Sequence, residues 1–297
     1  MGAAVTPNGS SSLGSAIIDG HCHAWRRWPY PPLVPDEDGR GTIDQLLYEM
    51  DTNGVAQAFV VCAAIDANAE NTEYVASARD RHPGRLHVVA DLDCTWSATY
   101  HVPGSADRLR ALDDRYQLAG FTHYVEDRND GWLLSDEAEA LFVAAEERRL
   151  VVSLAAGPAW QADLRLIAGR HPEVPVLCHH LGGVRASDGL NAGGLAEVVA
   201  SAAVPNLYVK ASGFHYASER GWDYPWPDAV AVLSRIFDAY GPSRLCWGSD
   251  FPASKRFCTF RQSLEAVRTH CPFFSPEDLR LVLGDTLRGV LAGTGAS

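Results

Sequence analysis

From Ser15 onward the chain alternates short apolar runs with longer amphipathic stretches. The apolar runs are Ala16–Asp19, Ala56–Val61, Leu86–Leu92, Gly120–Val125, Leu150–Leu154, Val174–Cys178, Leu207–Lys210 and Leu245–Trp247. Their length and bounding turn residues favour strands over helices. Between them the spacing of apolar positions predicts helices over Thr42–Asn53, Thr72–Arg81, Ala106–Leu118, Ser135–Arg148, Trp160–Arg170, Leu195–Ala202 and Trp226–Tyr240. Pro276–Leu283 and a final helix close the chain. Ser135-Asp136-Glu137-Ala138 reads as a helix start, because acidic side chains complement the positive end of the helix dipole. Strands that alternate with helices pair in parallel through right-handed crossovers. Eight such units in 297 residues predict an α/β fold of one domain, a closed (β/α)8 TIM-type barrel over residues 15–297. The rival doubly wound sheet normally carries a glycine-rich first turn for a nucleotide, and neither GxGxxG nor a P-loop sequence is present. A GxSxG nucleophile elbow is also missing.

Composition narrows the function classes. Residues 1–14 are rich in Gly, Ser, Ala and Asn, and are expected to form a disordered leader. Lys and Arg number 25 against 37 Asp and Glu, a formal charge of -12. That balance excludes non-specific nucleic-acid binding, which needs cations to neutralise phosphates. No apolar stretch approaches the roughly 20 residues that span a bilayer, and no basic segment leads into an apolar one at the start. A cytoplasmic protein without a membrane partner is expected. The 7 cysteines are scattered, with no CxxC pair, and read as reduced, buried thiols. Oligomeric state stays open, with a homodimer as the common default.

Three strand ends carry candidate chemistry. His21-Cys22-His23 follows the first strand directly. Residues two apart on a strand point to one side, so both imidazoles project together at the active-site end of a barrel. Such a pair suits a divalent metal. Cys178-His179-His180-Leu181-Gly182-Gly183 follows the sixth strand and brings His180 to the same mouth. Trp247-Gly248-Ser249-Asp250-Phe251-Pro252 ends the eighth and supplies a carboxylate, Asp250, able to ligate a metal or take a proton from water. Candidate substrate contacts are Trp25 and Arg26 in the first loop, His123 at the end of strand four, His179, Lys210 on strand seven and His215 in the aromatic loop after it. They suit a small anionic substrate. Packing of the first loop on the barrel rim is the competing reading for Trp25 and Arg26. Only one of His123 and Tyr124 can face the barrel interior, and His123 is preferred as the polar residue in an apolar strand.

The combination resembles the amidohydrolase superfamily, in its amidohydrolase-2 branch of sugar lactonases, pyrone dicarboxylate lactonase and related decarboxylases. The resemblance spans about Ile17 to Leu291 and is carried by Asp19-Gly20-His21-Cys22-His23, Val209-Lys210-Ala211-Ser212-Gly213 and Tyr240 to Pro252. It implies metal-site positions at His21, His23 and Asp250, and a metal-ligating or substrate-polarising role for His180. The implied cofactor is a divalent metal, foremost Zn²⁺. One position departs from the family. The branch often places a metal-ligating histidine at the end of strand five, where this chain has Ala155-Ala156. The centre is then incomplete, rebuilt with His123, His179 or Glu126, or metal-free, as the pyrone lactonases are thought to be. The readings that follow are hydrolysis of a lactone or cyclic amide with Asp250 and His180 catalytic, a decarboxylating or dehydrating lyase, and a barrel that only binds a ligand.

Overall fold

The computed structural model describes residues 16–32 and 34–294. The leader read at residues 1–14 lies outside the described residues. The eight expected strands are present: β1 Ile17–Cys22, β2 Val55–Cys62, β3 Leu86–Asp91, β4 Gly120–Tyr124, β5 Val151–Ala155, β6 Val176–Cys178, β7 Leu207–Ala211 and β8 Leu245–Trp247. They form one sheet in chain order, every neighbouring pair parallel. Helices intervene: α1 Ile43–Asn53, α2 Asn71–Arg81, α3 Ser105–Tyr116, α4 Asp136–Arg148, α5 Gln161–Arg170, α6 Gly193–Ala200, the short α7 Phe214–Ala217 and α8 Pro227–Tyr240. After β8 come α9 Phe260–Arg268, α10 Pro276–Arg280 and α11 Thr286–Ala292. The fold is a (β/α)8 barrel. α9 falls outside the helices expected from periodicity, although Thr259 and Gln262 form a capping box at its start, a signal visible in the sequence.

Two apolar layers result from the period-two alternation of the strands. Outward-facing residues such as Val60, Val88, Phe121, Val152 and Val209 pack beneath the helices. Inward-facing Ile18, Phe59, Val61, Val89, Val151, Leu177 and Cys246 fill the barrel, and Leu287, Val290 and Leu291 of α11 close it at the N-terminal end of the strands. The β8–β1 seam is joined by single contacts at the opposite end. Ser249 N–H donates to Asp19 Oδ1 at 2.9 Å, Asp250 N–H to the His21 carbonyl at 2.7 Å, and His23 N–H to the Phe251 carbonyl at 2.5 Å. No helix among the described residues is long and apolar enough to cross a membrane.

Candidate active site

β1 does not alternate evenly. Asp19 pairs with Ala58 and Cys22 with Val60, so β1 carries one more residue than β2 over this stretch. Such a bulge shifts the phase of the strand. Ile18 faces the barrel interior, Cys22 joins the outer core, and His21 and His23 face inward together. Asp250 and His180 both hold left-handed backbone, with φ of 55° and 43°. Non-glycine residues adopt this region only where their surroundings impose it. Two glycines make room for the imidazoles. A Cβ at Gly248 would lie 2.5 Å from His21 Cβ, and one at Gly213 would lie 2.5 Å from His180 Nδ1.

Four imidazoles converge on Asp250. The Nε2 atoms of His21, His23 and His180 stand 3.5, 3.7 and 3.8 Å from its Oδ1, and His215 Nε2 stands 3.5 Å from its Oδ2. His21 Nε2, His215 Nε2 and Asp250 Oδ2 are buried without a hydrogen-bond partner. Burial alone would push the Asp250 carboxyl up. His180 and the close approach of His21, His215 and His23 outweigh that, so it is held well below the usual carboxylate range. Burial pushes the His180 imidazole down to about 4 and that of His21 well below its ordinary value, leaving both rings neutral at pH 7. The centre is therefore a buried carboxylate beside the neutral rings of His21 and His180.

The spacing also suits a cation. Ligand atoms around a tetrahedral Zn²⁺ at roughly 2.1 Å lie about 3.4 Å apart. His21, His23 and Asp250 offer three such atoms within 4.8 Å of one another. His23 Nδ1 donates to the Val61 carbonyl at 2.8 Å, which leaves Nε2 with its lone pair toward the site. His180 groups instead with His21 and His179 as a second candidate set. β5 offers no ligand. Ser153 and Ala155 share its inner face, and the small Ala155 side chain borders a cavity of about 600 Å³. Tyr124, His179, His180, Arg185 and Tyr216 also line that cavity.

Several expected contacts lie elsewhere. His123 does not face the barrel interior; Tyr124 does. β4 alternates so that Tyr124 meets His179 edge-on at 5.0 Å, while His123 packs outside against Trp132 at 4.8 Å and donates from Nδ1 to the Leu92 carbonyl at 2.9 Å. Glu126 is exposed and accepts from Thr95 Oγ1, so neither residue rebuilds the missing ligand. Trp25 is not a clamp at the mouth. It is buried, stacks on His23 with centroids 4.8 Å apart, and donates from Nε1 to the Ala63 carbonyl. Arg26 lies over the Tyr74 ring on α2, 5.0 Å from its centroid. Lys210 does not reach the mouth either. It is fully buried behind His21, with Nζ 2.9 Å from His21 Nδ1 and 2.7 Å from Ser153 Oγ. His179 lines the cavity with its Nε2 2.7 Å from Ser153 Oγ, and His215 reaches Asp250 from α7. Sequence reasoning missed Ser153, Ser212 and Arg185, and set Tyr124 second to His123. Ser212 Oγ lies 3.1 Å from His180 Nδ1. For Ser153 the signal was a lone hydroxyl in an otherwise apolar strand.

The amidohydrolase family profile matches residues 18–288. The chain belongs to the amidohydrolase family. It is a hydrolase of amidohydrolase type. An L-fucono-1,5-lactonase from Burkholderia ambifaria is 26% identical over 246 residues, covering 80% of this chain and 81% of the relative. Among solved structures, an amidohydrolase from Burkholderia multivorans with bound zinc superposes with a TM-score of 0.75 at 20% identity, over 94% of this chain and 99% of its own. One named as a probable 2-pyrone-4,6-dicarboxylic acid hydrolase, from Acinetobacter baumannii with citric acid bound, gives 0.73 at 18% identity, over 93% and 99%. At these identities the structural likeness speaks for the barrel, and the chemistry of this amidohydrolase is argued from its own residues.

Proposed function

We propose that this amidohydrolase opens the ring of a small lactone with water. The observation that carries the reading is the buried Asp250 carboxylate ringed by four imidazoles, one of which, His180, lines the cavity of about 600 Å³. Asp250 takes a proton from the attacking water as the new C–O bond forms at the lactone carbonyl. His180, which borders the cavity, donates a hydrogen bond to the carbonyl oxygen as negative charge develops there. Collapse of the tetrahedral intermediate breaks the ring C–O bond, and the proton held by Asp250 goes to the leaving alkoxide. If a divalent ion is bound, His21, His23 and Asp250 hold it, and it would bring the pKa of bound water from about 15.7 toward ~7. Arg185 in the cavity wall favours an anionic substrate, because a guanidinium pairs with a carboxylate in two parallel hydrogen bonds. The similarity to a lactonase over 80% of the chain supports the choice of ester.

The test is turnover of a panel of neutral and carboxylated lactones in ¹⁸O-water. The expected result is ring opening with one label in the product carboxylate, faster for carboxylated rings, and loss of that preference in Arg185→Ala. Release of carbon dioxide from an aromatic acid with no label in the product would assign the site to a lyase instead.

A further inference from the structure

The lysine behind the site is unusual in its surroundings. Lys210 is fully buried, and no carboxylate among the described residues hydrogen-bonds to it. Its Nζ sits 5.4 Å from the centroid of Phe59, 2.9 Å from His21 Nδ1 and 2.7 Å from Ser153 Oγ. Ser153 Oγ in turn lies 2.7 Å from His179 Nε2. An ammonium has three N–H donors and no lone pair. It therefore donates to His21 Nδ1, and the one hydrogen of the neutral ring sits on Nε2. Ser153 Oγ accepts from Lys210 and is also within hydrogen-bond distance of His179 Nε2. His23 is the opposite case. Its Nδ1 must donate, because the Val61 carbonyl only accepts, and its Nε2 is bare. The two histidines of the HxH sequence thus present unlike groups to Asp250, one an N–H and the other a lone pair.

A metal-ligating histidine almost always has an acceptor behind it, a carboxylate, carbonyl or water that takes the far N–H and makes the ring a better ligand. His23 has that arrangement and His21 has its inverse. We propose that Lys210 is a positioning residue that fixes His21 as the Nε2–H tautomer, making His21 a hydrogen-bond donor to Asp250 and to an oxygen beside it. A divalent cation at His21, His23 and Asp250 has to displace that hydrogen, so this chain holds metal more weakly than the spacing of its ligand atoms alone would give. The lysine does not touch substrate. It acts through His21.

The test uses the full chain labelled with ¹⁵N-histidine, freed of metal, in long-range proton–nitrogen spectra. His21 is expected to show a protonated Nε2 and a bare, hydrogen-bonded Nδ1, with His23 the reverse. Lys210→Met keeps the length and the apolar neighbours and removes the donor. His21 should then lose its fixed tautomer, and Co²⁺, used as the probe, should bind about tenfold tighter by calorimetry. The proposal is overturned by a hydrogen on His21 Nδ1 in the unmodified chain, or by a folded Lys210→Met that binds Co²⁺ no tighter. If Lys210→Met does not fold, the unmodified spectrum decides. Ser153→Ala then adds a second reading, in which the His179 nitrogen signals shift and His21 keeps its tautomer. None of these measurements uses a substrate, so they stand apart from the lactone assay.

Discussion

Two clusters of histidine and aspartate lie near the same end of the barrel, and they differ in what is left over. Outside β4, His123 Nδ1 bonds the Leu92 carbonyl, its Nε2 meets His101 Nε2 at 3.4 Å, and His101 Nδ1 meets Asp130 at 2.9 Å. Tyr100 and Trp132 stack on the His101 ring at 3.8 and 4.4 Å. Both imidazoles there have partners on both nitrogens. Inside the mouth, Asp250 Oδ2 and the Nε2 atoms of His21 and His215 have none. Buried polar atoms without partners cost stability, and a fold keeps them where a ligand completes them. Residue types alone do not separate the two clusters. Unsatisfied hydrogen-bonding capacity does.

That contrast can be broken by substitution, and the largest effect belongs to the inner cluster. Asp250→Asn should lower kcat/KM by about 10²–10⁴-fold, the usual worth of a general base, with no fall in melting temperature. Steady-state turnover alongside a thermal melt checks both halves, and an unchanged rate would remove Asp250 from the chemistry. The outer cluster should behave in the opposite way. Burial pushes the His123 imidazole down from 6.5 to about 4. Between those values the unfolded chain binds more protons than the folded one, so stability present above pH 6.5 is lost as the pH falls toward 4. The loss is about 3 kcal/mol for this one group. His123→Phe should flatten that part of a denaturant-derived stability profile while leaving turnover unchanged. A smaller effect is expected for His101→Ala, which strips His123 Nε2 and Asp130 of a partner. Urea melts should show a loss of about 1–3 kcal/mol, again at constant kcat. Arg26→Ala is the smallest. Losing the cation–π contact with Tyr74 should cost at most about 0.5–1 kcal/mol, and a changed KM would return Arg26 to the substrate site.

Much of the barrel was legible because its strands are buried on both faces and read as short apolar runs between helical periods. HxH, His180 and Asp250 were legible for a related reason: each polar group follows directly on one of those runs. The side a residue faces was harder to read. His123 looked like the inward residue of β4 because polarity in an apolar strand suggests a site. Its outward position is satisfied by a carbonyl and a second histidine far along the chain, His101, which no local pattern announces. Lys210 was read as a candidate substrate contact on strand seven, and it lies deeper, behind His21. A buried ammonium without a carboxylate partner is rare, and sequence offers no hint that a histidine and a serine receive it. The bulge in β1 was equally hidden, since it depends on the register against β2.

The seam between β8 and β1 carries one more consequence, and it concerns synthesis. Ser249 and Asp19 are 230 positions apart, and their hydrogen bond belongs to the same small set that holds Asp250 against His21. The imidazoles at 21, 23 and 180 all leave the ribosome before the carboxylate they face. A nascent chain stopped after α7 would own every histidine of the mouth and still have no base among them. Such distant pairs close late because the loop entropy must be met first. In this architecture the ends of the chain act as a clasp: chemistry starts only once the ring of strands is complete.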